Sequence, residues 1–585
     1  MRRLAPWVLA AAFAAWSFWP RPDSIPGWGK DPDFNLWSFE VVWNNLRGGN
    51  PPFKAPLFGG SPLGIAYSES QIVPALLFWP VRALAGNGAV ALGVAAMALS
   101  LLAAACCAGW LRALGMRRLA AWGGLLFAGC GWLQSQYAHY QNLCVFVLPL
   151  ALWSWVACER DPRPLRLCLC GLAFGWIPGW NLYFCVFADL CLIVLAARAR
   201  KPLPLALSLA VQAPFLLPYL QLGSVLGGYG AALTYGAEAR SVLGSAFRPR
   251  LIAPSFQLNL EAAGFLGAAW LVLMALSLRR RESRPWLLAA ALAFWAALGR
   301  GSGLYDLLSL LPPVAALRAA GRAQILVALF SLPAVLGWLE TLPPSRAAAA
   351  LALAIADLLP AGPPLRTRVD PALWGRKTPL AEELSRSADP LLVVPDASER
   401  FMLDATQAMV PYFGGHSGRA PPGEELMASL LRRGQLAEAL ELTRARRVLA
   451  LTPQAADEVR RLPGLAPRGC FRHLDQGEPC LFSAGLADPP PLRLDKDTRR
   501  RPAAGDWPGA DFLAETAGVL EARQLDRCHL RRTTRILGVP LRSKLPLPVL
   551  DRARWGKGEV VLHLEARQAL FRLGIATAEF EVICK

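Results

Sequence analysis

Charge is distributed so unevenly along this chain that most folds are excluded at once. Residues 1–360 carry 27 Lys/Arg and 14 Asp/Glu, whereas residues 361–585 carry 34 and 28. Charged side chains therefore make up about 11% of the first segment and about 28% of the second. A water-soluble domain holds about 25% charge throughout, so 360 residues this apolar cannot be a soluble core. They also bury too well to stay disordered. The net charge of +19 does not mark a nucleic-acid binder, because the basic residues are not gathered on one polar domain. What remains is a polytopic α-helical membrane domain, residues 1–361, followed by a soluble domain, residues 362–585.

Apolar runs of about 17–25 residues predict membrane helices. Eleven are expected, at 4–20, 88–111, 119–134, 143–158, 165–180, 181–197, 202–222, 260–278, 284–299, 323–340 and 345–361. The first follows Arg2 and Arg3 as a signal peptide would. Trp16, Phe18, Trp19 and Pro20 stand where a small-residue cleavage site belongs, so it reads as a retained span. Basic residues set the orientation. With the N-terminus inside, the inner loops hold 16 Lys/Arg against 4 acids, and the outer loops 11 against 8. An odd number of spans then sends residues 362–585 outside. The same outer face receives the three long loops 21–87, 223–259 and 300–322, and long loops tend to carry function.

The C-terminal domain reads as mixed α/β. DPLLVVPD (389–396) and RVLALT (447–452) predict short buried strands, and EVVLHLEA (559–566) a half-exposed one. PGEELMASLLRRGQLAEALELTRAR predicts helix with a break at Gly434. Nine of the 13 cysteines lie between Cys106 and Cys191, where they serve as small hydrophobes. Of the outer four, Cys470, Cys480, Cys528 and Cys584, the first two suit a short-loop disulfide in an exported domain. The 5 histidines show no metal-binding spacing. Without a P-loop, GxGxxG or GxSxG, nucleotide-driven chemistry has no support.

The most informative stretch is KDPDFNLWSFEVVWNNLRGGNPP, residues 30–52. Asp31 and Asp33 precede an aromatic amphipathic run that predicts a helix lying in the membrane interface. SPLGIAYSES and then LLFWPVRALAGN predict a second. The order Asp31-Pro32-Asp33-Phe34-Asn35-Leu36-Trp37, Ser68-Glu69, QYAHYQN (136–142), YFCVF after GWNL, and ALGRGSGLYDLLSLLPPVAALRAAGRAQILVAL (297–329) resembles the GT-C superfamily of membrane glycosyltransferases, over residues 1–360. Arg300 departs from the more neutral residue of that pattern. The resemblance implies transfer of a sugar from a polyprenyl-phosphate donor to a hydroxyl acceptor. That acceptor would be a lipid-linked glycan, a lipid or an exported protein, at the outer face of a bacterial cytoplasmic membrane. The C-terminal domain matches no family.

A sugar on polyprenyl phosphate already has a good leaving group. Its transfer needs a base for the acceptor hydroxyl and positive charge beside the departing phosphate. Asp31 suits the base, with Glu69 as a further catalytic acid in the same loop. Alternatively Asp31 and Asp33 offer oxygen ligands of the kind Mg²⁺ or Mn²⁺ accepts. Arg318 and Arg322, four apart, would share a helix face and clamp phosphate oxygens; Arg240, Arg248 and Arg250 suit the same task. His139 and Tyr183 are candidates for substrate binding, and Asp189 is an acid within a span. Each also has a structural reading. The aspartates suit a helix N-terminus, Glu69 offsets a helix dipole, His139 and Tyr183 suit wet helix ends, and the arginines can snorkel. Two other functions fit the pattern. One is a transporter or flippase with helices interrupted near Gly179, Pro214 and Pro218; the other is a scaffold whose exported domain binds a partner.

Overall fold

The computed structural model describes residues 4–69, 71–223, 235–237, 245–246, 255–256, 264, 266–315, 317, 319–359, 364–374, 377–395, 399–414, 422–443, 445–471, 479–484, 528–536, 539–546 and 576–584. Arg240, Arg248, Arg250, Arg318 and the expected strand 559–566 lie outside them. The chain divides into two compact units. One comprises Met1–Trp43, Glu69–Leu217 and Gly228–Trp374; the other comprises Asn44–Ser68, Pro218–Gly227 and Gly375–Lys585.

The first unit is helical. Among the described residues, 5 helices are long and apolar enough to cross a membrane: Gly88–Ala113, Tyr140–Arg160, Leu182–Ala199, Leu203–Leu220 and Ala320–Leu339. The other expected spans fall on shorter helices, including Ala5–Phe18, Pro164–Gly175, Ala268–Ser277, Arg284–Ala297 and Pro344–Leu358. Local chemistry sets these boundaries. Asn87 caps Gly88–Ala113 by accepting from the Val90 amide at 2.9 Å, which satisfies a donor that has no partner inside the helix. The expected span 119–134 divides at Gly129 and Cys130 into Ala120–Ala128 and Gly131–Ser135.

Small residues let these helices approach closely, as they do in membrane bundles. A Cβ on Gly124 would lie 2.2 Å from the Ala104 carbonyl oxygen, so no larger residue fits between Gly88–Ala113 and Ala120–Ala128. Large apolar side chains such as Leu169, Val194, Leu209, Val272 and Leu288 point outward and stay about half exposed or more, a surface suited to lipid rather than water.

Residues just beyond the first and last apolar helices meet. Ser24–Pro26 pairs antiparallel with Arg366–Arg368, and Arg366 bonds the Ser24 carbonyl at 2.9 Å and its hydroxyl at 3.0 Å. Helices Ala5–Phe18 and Pro344–Leu358 therefore end on the same side of the unit.

In the second unit a 5-stranded sheet runs in the order Tyr412–Phe413, Leu391–Val394, Arg447–Ala450, Cys480–Ala484, Leu465–Cys470. The first three strands are parallel and the last two antiparallel to their neighbours. Leu392, Val394, Val448 and Phe482 form its core with Met427, Leu436 and Val459 from the covering helices. The predicted helix 422–446 is two helices, Pro422–Arg432 and Leu436–Thr443, separated at Gly434 with φ 71°, a conformation glycine adopts at little cost. Cys470 and Cys480 are disulfide-bonded. Part of the first long loop belongs to this unit. The Tyr412 amide bonds the Pro56 carbonyl at 2.9 Å, and Gly59 packs on the Phe413 ring, where a Cβ would come within 2.7 Å. A separate 3-stranded antiparallel sheet joins Val539–Pro546, Cys528–Ile536 and Ala576–Cys584.

Candidate active site

The informative stretch forms the helix Asp31–Arg47, with Asp31 and Asp33 in its first turn. Pro32, Asp33, Phe34 and every residue on to Trp43 are buried. The helix therefore does not lie in an interface with one apolar face in lipid. Its aromatic side packs in protein, Phe39 against Phe78 and Tyr140 and Trp43 against Trp79. Its polar side is tied down as well. Asn35 donates to the Ala138 carbonyl at 2.8 Å and accepts from Gln71, and Glu40 pairs with Arg82 at 2.7 Å. Hydrophobic periodicity cannot distinguish protein from lipid as the apolar neighbour, which is why the interfacial reading fails here.

Gly27 brings this segment to its partner. Its φ is 99°, and a Cβ there would sit 2.7 Å from the Tyr137 carbonyl oxygen, so only glycine lets the chain lie on residues 137 and 138. One residue further on, His139 Nε2 meets Asp31 Oδ2 at 2.8 Å. The Asp31 side chain is 37% exposed and that of His139 13%, which leaves the carboxylate reachable from outside.

A second carboxylate, paired with an arginine, lies in the same unit. Glu69 Oε1 accepts from Arg322 Nη1. Arg322 is buried, and its guanidinium stacks over the Tyr183 ring at 4.2 Å. Tyr183 in turn accepts from the Ala319 amide at 3.3 Å through its hydroxyl. The loop bearing Arg322 is braced by Tyr305, whose hydroxyl donates to the Leu317 carbonyl at 2.8 Å. Burial pushes that phenol up to about 12. The second long loop reaches the same place through the Gly321 amide, which bonds the Tyr235 carbonyl at 3.0 Å. All three long loops thus contribute to one region of the first unit.

Of the sequence candidates, the structure joins Asp31 to His139, and Glu69 to Arg322 and Tyr183. Asp33 is separate: it is 4% exposed and stands two residues from Asp31 on a helix, about 200° around the axis. Two carboxylates so placed cannot close on one ion. Among the described residues no three His, Cys, Asp or Glu side chains converge as metal ligands. The expected Arg318–Arg322 clamp falls partly outside the described residues, since Arg318 is not among them. Ala319 has φ −116° and ψ 76°, and the turn bearing Arg322 starts only after it. Asp189 is bonded by Gln212 at 2.7 Å on the neighbouring helix, a contact that holds two helices together.

The amides around His139 are not the wet helix end that the sequence suggests but a buried set. Gln136, Asn142 and Asn181 are fully buried and link in series. Asn181 Nδ2 donates to Asn142 Oδ1 at 3.0 Å, Asn142 Nδ2 to Gln136 Oε1 at 2.7 Å, and Gln136 Oε1 meets His139 Nδ1 at 3.0 Å. Their signal in the sequence is an amide inside an otherwise apolar run, which is expensive to bury unless it is bonded.

No protein-family model matches the chain, and no curated protein matches it. Among solved structures it is similar to the arabinofuranosyltransferase AftD from Mycobacteria, with a TM-score of 0.53 and 14% identity over 83% of this chain and 42% of that one. It therefore spans less than half the length of AftD. It is also similar to ArnT from Cupriavidus metallidurans bound to undecaprenyl phosphate, with a TM-score of 0.41 and 12% identity over 83% of this chain and 100% of that one. The likeness to AftD establishes a shared fold.

Proposed function

We propose that this chain is a membrane glycosyltransferase that moves a sugar from a polyprenyl-phosphate donor to a hydroxyl acceptor at the outer face of the cytoplasmic membrane, with Asp31 as the base. One observation carries the reading. The Asp31 carboxylate is 37% exposed at the start of a buried helix and is held through one oxygen by His139. A carboxylate fixed in this way is oriented yet still reachable, as a general base must be. The fold shared with an arabinofuranosyltransferase supports sugar transfer over transport.

In the step, the acceptor oxygen bonds to the anomeric carbon as the bond from that carbon to phosphate oxygen breaks. The hydroxyl proton passes to Asp31, and polyprenyl phosphate leaves as an anion. Arg322 is not an open clamp, because Glu69 already neutralises it. A donor phosphate reaches that guanidinium by replacing the Glu69 carboxylate, one anion for another.

The test uses membranes containing the full chain, supplied with radiolabelled polyprenyl-phosphate sugars, and counts label transferred to glycolipid and polymer. Asp31→Asn is expected to lower transfer by about 10²–10⁴-fold. Transfer at the unmutated rate by an equally abundant Asp31→Asn protein would overturn the assignment.

A further inference from the structure

The amide series behind His139 has a direction, and the backbone sets it. Asn181 caps the helix Leu182–Ala199, and its Oδ1 accepts from the Phe184 amide at 3.0 Å. A backbone N–H only donates, so the Asn181 oxygen must face it and the nitrogen must face away. That nitrogen meets the Gln141 carbonyl at 3.0 Å, an atom that only accepts. Both ends of the Asn181 amide are therefore fixed by main-chain groups. The rest follows link by link. Asn181 Nδ2 also donates to Asn142, so the Asn142 oxygen lies on that side and its nitrogen faces Gln136. Gln136 must then present its oxygen, and that oxygen is the atom 3.0 Å from His139 Nδ1. An amide oxygen cannot donate, so Nδ1 carries the hydrogen.

We infer that Gln136, Asn142 and Asn181 are positioning residues that hold His139 with Nδ1 protonated and Nε2 turned to Asp31. With Nδ1 protonated and Nε2 bare, the ring can exchange a proton with Asp31 only through Nε2 and Oδ2. When Asp31 takes the acceptor proton, the Nε2 lone pair of the neutral ring is already aimed at Oδ2, 2.8 Å away, to receive it. Nδ1 keeps its own hydrogen throughout, and the resulting imidazolium lies between two acceptors. The use of the pair in sugar transfer rests on the reading of Asp31 as base; the tautomer does not.

The test therefore reads the ring directly. Full-length protein labelled with ¹⁵N-histidine is examined by solid-state NMR in lipid bilayers, at a pH where the ring is neutral, and His139 is assigned by the signal lost in His139→Gln. The expected spectrum shows His139 protonated at Nδ1. Asn142→Asp keeps the shape but turns the donor toward Gln136 into an acceptor, which obliges the Gln136 amide to rotate and present Nε2 to the ring. That variant is expected to show the Nε2–H tautomer. Asn181→Ser keeps a helix cap but cannot reach Asn142, and is expected to give a mixture of tautomers with an unchanged fold. In the transfer assay both are expected to lower turnover about 10-fold with little change in KM. A His139 signal that is Nε2–H in the unmutated protein, or that is the same in all three proteins, overturns the inference. Tautomer changes without any loss of transfer would keep the relay and discard its link to Asp31.

Discussion

The Asp31–His139 and Glu69–Arg322 pairs use the same pattern, one carboxylate oxygen on one nitrogen, in different surroundings. Asp31 is 37% exposed at its side chain and Glu69 12%; their partners are 13% and 2% exposed. The partners differ in kind as well. An imidazole gains and loses a proton near neutral pH, whereas a guanidinium keeps its charge at any pH a protein survives. On the proposed reading the first pair handles a proton and the second holds a fixed charge. Their supports agree with this division. His139 rests on amides with defined donor and acceptor ends, while Arg322 rests on the face of Tyr183, which favours a cation but carries no proton.

The largest expected effect breaks the buried pair. Arg322→Met leaves the Glu69 carboxylate without its cation and is expected to destabilise the protein by about 3–5 kcal/mol, measured as thermal unfolding of the purified protein. Adding Glu69→Gln should recover much of that loss, since the cost lies in the orphaned charge. If Arg322→Met alone costs less than about 1 kcal/mol, the pair is not the buried fixed charge described here.

The exposed pair should respond in the opposite sense. His139→Gln is expected to change stability by about 1 kcal/mol, because a single polar contact contributes about that much. Turnover should nevertheless fall, by less than the about 10²–10⁴-fold expected for Asp31→Asn, since the proposed base remains. Equal losses of stability for His139→Gln and Arg322→Met would erase the distinction between the two pairs.

The sequence showed the members of these pairs but not the pairing. Asp31 was legible from its place before an aromatic helix in a long loop, and His139 as the one histidine among residues 1–360. Their meeting depends on Gly27 lying against Tyr137, a tertiary approach that no local pattern encodes. Arg322 was legible as a basic residue in a late loop, yet its neutralisation by Glu69, 253 positions earlier, was not. In the second unit the strands at Leu391–Val394 and Arg447–Ala450 and the break at Gly434 follow from local apolar runs and a flexible residue. The inclusion of Asn44–Ser68 in that unit does not, because it depends on a loop reaching the edge of a sheet formed far along the chain.

The smallest effect tests how the fixed charge is held in place. Tyr305→Phe removes the hydroxyl that donates to the Leu317 carbonyl and is expected to lower stability by about 1 kcal/mol near neutral pH. Its pH dependence has a definite sign. Burial raises the folded phenol from 10 to about 12, so the folded state holds this proton more tightly than the unfolded chain does. The contribution is complete below pH 10 and is lost as pH rises toward 12. The gap between Tyr305→Phe and the unmutated protein should therefore stay constant from neutral pH to about 9 and shrink above 10. Chemical denaturation at several pH values measures it. A gap that instead changes between about pH 6 and 8, where imidazole titrates, would show that the Arg322 loop shares the proton chemistry of the His139 pair, and the two regions would no longer divide the work.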